Sequence, residues 1–247
     1  MADDLINQCA SLKINSEEEE VIDIGEIETN GEELRVSLML IGRLLTDRGI
    51  NVEAFKRTIT QSWALKGRVI IRCIGRGKPL WFQFLHWKDK ERVMMGRPWC
   101  FEHNLLILNE ISRGEQSRDV NLNFSPFWVR IKDLSFDCRT NSHVNMIASK
   151  LGDVIEIEED SVAICKSRRV KVMLDVQKPL KRYQTLRTKE GNVIRINLKY
   201  ERLPFFCFSC GTMGHSERDC LLVSDDSNEQ GHGWGAWLKA SPMKGKN

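Results

Sequence analysis

No apolar run in this 247-residue chain approaches the ~20 residues that a membrane-spanning helix requires. The start, "MADDLINQCASLKINSEEEE", lacks the basic stretch and apolar core of a secretory signal. These absences lead us to expect a nuclear or cytoplasmic protein, neither secreted nor membrane-bound. A glycine-rich phosphate loop, a nucleophile elbow and a His-Glu-x-x-His pair are also missing. No catalytic residue and no small-molecule substrate are therefore expected. Proline is scarce at 6 residues, and a chain 41% hydrophobic and 29% charged suits a globular protein. Cys9, Cys73, Cys100, Cys138 and Cys165 are scattered singly, the pattern of reduced thiols.

The formal net charge of +3 hides a division. Residues 1–34 hold eleven acids and one base, Lys13, so the remainder carries +13. A basic body favours polyanionic partners, and nucleic acid is the first of these. The acidic leader, 1–34, reads as a disordered arm, with competition for the basic surface as the alternative.

From residue 35 strand-like and helix-like patterns alternate. "VSLMLIGRLL" (36–45) reads as a buried strand. "NVEAFKRTITQSW" (51–63) reads as a helix capped by Asn51, with Val52, Phe55, Ile59 and Trp63 at helical spacing. "RVIIRCIG" and "PLWFQFLH" read as strands joined by a tight turn at Arg76, Gly77 and Lys78. "KDKERVMMGRPW" reads as a helix and "FEHNLLILNEI" as one more strand. That order is the split βαβ arrangement of ferredoxin-like and RNA-recognition-motif domains, and it makes residues 35–118 an α+β domain. A second small α+β block, 119–203, follows, with strands at "SPFWVRIKDL" and "RRVKVMLDV" and a helix then a strand in "NSHVNMIASKLGDVIEIEED". A hairpin over 183–203, turning at Glu190-Gly191-Asn192, completes it. The fold class expected is α+β, closed by a short cysteine-rich segment (204–221) and a tail (222–247). No internal repeat of fixed period is visible.

The cysteine-rich segment, "ERLPFFCFSCGTMGHSERDC", places three cysteines and one histidine in fourteen residues as Cys207-x2-Cys210-x4-His215-x4-Cys220. Four such ligands close a tetrahedral zinc site with no open position, which suits one structural Zn2+ and not catalysis. Gly211 and Gly214 sit where the backbone must bend around a metal. A redox reading of Cys207 and Cys210 expects a helix start after the motif, which this sequence lacks.

The spacing with both glycines resembles the CCHC zinc knuckle of retroviral and retrotransposon Gag-type proteins. "KYERLPFFCFSCGTMGHSERDC", "GWGAWLKASP", "LIGRLLTDRGINVEAFKRTITQSW", "FQFLHWKDKERVMMGRPWCFEHNLLIL" and "FWVRIKDL" together resemble a plant family in which a knuckle follows a domain of unknown function. That family includes the Gag-like proteins of LINE-type retrotransposons and cellular genes derived from them. The resemblance implies binding of single-stranded RNA or DNA, with zinc as the metal. In such knuckles an apolar residue after the first cysteine and another after the histidine make a platform for an unpaired base. Phe208 fills the first place and Ser216 the second, with Met213 as a partial substitute. The departure implies stacking without fine base selectivity; the alternative is that Phe208 only covers the metal.

Arg169, Lys171, Arg195 and Lys199 fall on the polar faces of two expected strands, with Lys166, Arg168, Lys181, Arg182 and Arg187 nearby. They form a phosphate-binding stripe if those strands pair, or an ordinary solvated face. Arg218 inside the knuckle is a further candidate contact. Trp81, Phe82 and Phe84 invite comparison with the stacking aromatics of an RNA-recognition motif, but neighbours on one strand point to opposite faces, so at least one of its faces belongs to the core. Trp234 and Trp237 suggest a docking tail. Nucleic acid is the expected partner; a protein-interaction adaptor is the alternative, and the N-terminal domain offers a scaffold or a surface for self-association.

Overall fold

The structure, a computed structural model, describes residues 30–73, 79–112, 114–159, 167–221 and 233–241. The leader expected over 1–34 lies outside these residues as far as position 29, as does the turn at Arg76–Lys78. The chain is already helical in α1 (Asn30–Ser37), ahead of β1 (Met39–Leu44). The strand expected from Val36 thus starts later: the Leu38 N–H donates to the Arg35 carbonyl at 3.1 Å and closes the helix first.

α2 (Val52–Trp63) begins as expected, because Asn51 Oδ1 accepts the Ala54 N–H at 3.1 Å. Its Phe55, Ile59 and Trp63 lie one turn apart and are all buried. β2 (Val69–Cys73) and β3 (Leu80–Phe84) pair antiparallel, and α3 (Trp87–Met95) follows. The single strand expected over 101–111 is instead a hairpin of β4 (Trp99–Phe101) and β5 (Asn104–Glu110). Glu102 and His103 take φ values of 47° and 64°, the left-handed pair a two-residue hairpin turn requires.

The first sheet runs β2-β3-β1-β5-β4. One face packs on α2 and α3 through Leu40, Phe55, Ile59, Trp63, Phe82, Phe84 and Val93. Trp63 anchors that core, its ring 5.3 Å from Phe82 and 5.8 Å from Phe84. Phe82 and Phe84 are therefore core residues, and Trp81 lies half-buried on the opposite face.

The second sheet comprises β6 (Phe124–Lys132), β7 (Asp153–Ile157), β8 (Ser167–Asp175), β9 (Tyr183–Arg187) and β10 (Val193–Tyr200), in the order β7-β8-β6-β10-β9. Both sheets are thus wired alike: second strand, third, first, last, then a short penultimate edge strand. The shared pattern lives in the connections and leaves no periodic trace in the sequence. α4 (Asn141–Ala148) packs Val144 and Ile147 on the second sheet's core face, with Val129, Val170, Val172, Ile196 and Leu198. Among the described residues, the α-helix α3 has no counterpart. α3 follows the third strand of the first sheet, whereas only residues 176–182, with no helix, join β8 to β9.

Asp89, in the first turn of α3, is 2% exposed and accepts the N–H groups of Lys66 and Gly67 at 3.1 and 2.7 Å. Burial raises its pKa, but these donors outweigh it and hold the carboxyl below its usual value. The stability it contributes is complete above the unfolded carboxylate pKa of about 3.9 and fades as pH falls through the lower folded value. Asp89→Ala, which strands two donors, is expected to cost about 2–3 kcal/mol in urea melts at pH 7, with the difference shrinking in acid.

Candidate metal centre and nucleic-acid interface

Beyond β10 the chain turns Leu203, Phe206 and Cys207 inward. An isolated bridge between Phe206 and Met213 closes a loop inside which the Gly211 N–H donates to the Cys207 carbonyl, and the Cys207 N–H to Thr212, both at 2.9 Å. This loop gathers the donor atoms of Cys207, Cys210, His215 and Cys220 within 4.8 Å of one another. Cys210 Sγ lies 3.3 Å from His215 Nε2. A tetrahedral zinc with sulfur at ~2.3 Å and nitrogen at ~2.0 Å separates such a pair by roughly 3.5 Å. The four residues therefore fit one structural zinc, held by three thiolates and Nε2 of the imidazole.

The site is built into the second sheet's core. Phe206, Met213 and Leu238 join the cluster formed by β6, β8, β10 and α4, on the face that lacks a second helix. The Leu180 N–H, from the stretch replacing that helix, donates to the Gly211 carbonyl at 2.9 Å. Gly211 has φ 77°, and a Cβ there would lie 2.3 Å from the Trp234 indole; at Gly214, φ 98°, it would lie 2.8 Å from Leu45. The glycines thus serve both the turn and the docking. Trp234 Nε1 donates to the Leu180 carbonyl at 2.7 Å, its backbone N–H donates to Phe208, and the Arg182 guanidinium lies over its ring at 4.8 Å. Trp234 is thus a docking residue, while Trp237 remains 50% exposed.

The residues expected to hold nucleic acid fare unequally. Met213 is 4% exposed and packed in the second sheet's core, so it cannot share a base platform with Phe208. Phe208 is half-buried, edge-on to Phe206 with ring centroids 5.1 Å apart. Ser216 donates to Asp219 at 2.5 Å, and Arg218 is exposed. β8 and β10 are not neighbours, because β6 lies between them. Arg169, opposite Arg130, is clamped by Glu201 and Glu158 and lies 3.8 Å over the Trp128 ring. Glu201 also takes Arg130 at 2.6 Å. Burial raises the pKa of Glu201, but the two guanidinium groups outweigh it and hold it low. Lys171 Nζ donates to the Met95 carbonyl, and burial lowers its pKa. Arg169 and Lys171 are thus engaged within the fold, as are Arg168, Lys181 and Arg182. Lys166 lies outside the described residues.

Arg195 and Lys199 do face out of the second sheet. The register sets Lys199 opposite Arg130, Lys132 opposite Asn197, and Asn197 opposite Tyr183, whose ring lies 3.4 Å beneath the Arg195 guanidinium. With exposed Arg187 these form a basic face spanning β6, β10 and β9. Lys132 and Tyr183 are members that sequence reading missed, although the alternation of "FWVRIK" already puts Trp128, Arg130 and Lys132 on one side. Among the described residues, the first sheet offers no equivalent face along its centre. There Leu105 and Ile107 join the second core, and Arg43 donates to the Leu122 carbonyl at 3.0 Å.

Fold and site together define a two-block α+β protein with a zinc knuckle docked on its second sheet. Residues 174–222 match the family model of a zinc knuckle, and residues 32–117 match a domain of unknown function (DUF4283). The knuckle match starts at the end of β8 and so includes β9 and β10. No curated protein matches the chain. Among solved structures it is similar to the C. elegans NONO-1 homodimer, at 14% identity over 56% of this chain and 50% of that one, with a TM-score of 0.24. It therefore spans half the length of that chain. It is also similar to the RNA-binding domain of Hrp1 in complex with RNA (12%, 56% and 81%, TM-score 0.27). The Drosophila melanogaster Sex-lethal RNA recognition domains 1 and 2 give 15%, 55% and 85%, with a TM-score of 0.24.

Two substitutions separate metal from docking. Cys210→Ser is expected to abolish zinc uptake, measured by atomic absorption, and to lower the melting temperature of the second block as a whole. Gly211→Ala keeps all four ligands and should still bind zinc, but it should displace Trp234 and red-shift tryptophan fluorescence.

Proposed function

We propose that this chain binds single-stranded nucleic acid, RNA or DNA, without catalysing a reaction. The observation that carries the reading is the basic face formed by Lys132, Arg187, Arg195 and Lys199 on the sheet that also docks the knuckle. Phosphate contacts from such a face bring affinity with little sequence information. Zinc supplies folding energy, because four protein ligands leave the metal no open position for substrate. The knuckle spacing, together with the preceding domain of unknown function, supports a Gag-like, retrotransposon-derived origin in a plant. The protein acts in the nucleus or cytoplasm.

Salt titration tests the reading. Affinity for a single-stranded oligonucleotide should fall log-linearly with salt, by about 0.7 per phosphate contacted. The double variant Arg195→Gln, Lys199→Gln should reduce that slope by about 1.4. An unchanged slope and affinity would remove the sheet face from the interface.

A further inference from the structure

The segment joining β10 to the metal centre buries Phe206 and Cys207 but leaves Phe205 54% exposed. Its position is nevertheless fixed. The Phe205 N–H donates to the His103 carbonyl at 2.8 Å, and the two rings stand 4.9 Å apart at 58°. His103 belongs to the β4–β5 turn, where it and Glu102 hold positive φ angles that are uncommon outside glycine. Lys239, from the tail, sets its ammonium 5.8 Å from the centre of the Phe205 ring. A bridge to Tyr200 and a 2.8 Å bond from the Ala240 N–H to the Tyr200 carbonyl hold the tail there, beside the end of β10. Three segments remote in sequence thus converge on one exposed ring, and His103, Phe205 and Lys239 are all exposed.

Core packing does not explain the arrangement, because the ring faces solvent, and the backbone bond to His103 already ties the hairpin down. The exposed Phe205 ring offers one face to a flat base, His103 braces that ring at 58° to it, and the nearby ammonium matches the base's phosphate. β10 continues away from this point with Lys199 and Arg195 on its outer face, so a strand of phosphates can extend from the platform along the basic face. We propose that His103, Phe205 and Lys239 form a stacking platform for one unpaired base of a single-stranded nucleic acid, separate from Phe208 in the knuckle. This rests on the nucleic-acid-binding reading above.

The test uses the full chain loaded with zinc and two fluorescent probes, an oligouridylate and an abasic oligomer of the same length. Phe205→Ala should weaken oligouridylate binding about tenfold, leave the abasic oligomer unaffected, and preserve zinc content and melting temperature. Phe205→Trp should retain wild-type affinity. Photocrosslinking with 5-bromouracil should mark the peptide containing Phe205. Wild-type affinity of Phe205→Ala for oligouridylate overturns the platform and leaves the proposed function standing. Equal losses on both probes also overturn it, since they show no role for the base. Failure of the wild-type chain to bind either probe, and an oligothymidylate of the same length, sinks the proposed function and the platform with it.

Discussion

The hydrogen bond from Leu180 to Gly211, with the Trp234 indole laid against Gly211, ties the metal centre into the second sheet. Each side lacks what the other supplies. A segment of fourteen residues cannot bury a core, and a sheet with one helix leaves part of a face bare. Phe206, Met213 and Leu238 fill that face, while metal binding can contribute about 10–16 kcal/mol of folding energy in small zinc modules. Ligand capture and core formation are then parts of one event. The knuckle is held in a set position and is not a finger on a loose tether.

That fixed position matters for charge. The two sheets are wired alike, yet among the described residues only the second keeps an outward face rich in bases along its centre, because Leu105 and Ile107 of the first turn into the second block's core. On the second sheet Glu201 and Glu158 neutralise the close pair Arg130 and Arg169, which the register sets facing each other. Lys132, Lys199, Arg195 and Arg187 pair with no carboxylate among the described residues. The first block places Leu105 and Ile107 in the second sheet's core and sets His103 against the exposed ring of Phe205.

Several elements were legible in the order of residues. The apolar spacing and Asn51 cap of α2, the alternation in β8 and β10, and the turn around Gly191 all rest on local rules that neighbours did not override. The β4–β5 hairpin was not legible, because Glu102 and His103 lack the turn residues that announce positive φ. The onset of α1 was missed for a related reason: Val36 and Leu38 look like strand residues, and only the hydrogen bond at Arg35 ends the helix there.

The residues of the chain alone determined the metal centre, since four ligands within fourteen residues find one another wherever the loop lies. They also determined the surplus of bases in the body and the α+β class, which follow from composition and period. Which bases stay free was decided by tertiary structure, because it depends on which carboxylates the register brings alongside. Tertiary structure likewise turned Met213 inward, gave Gly211 and Gly214 partners in Trp234 and Leu45, and left Phe205 in the open. These outcomes depend on contacts between segments far apart in the chain, and no local spacing encodes them.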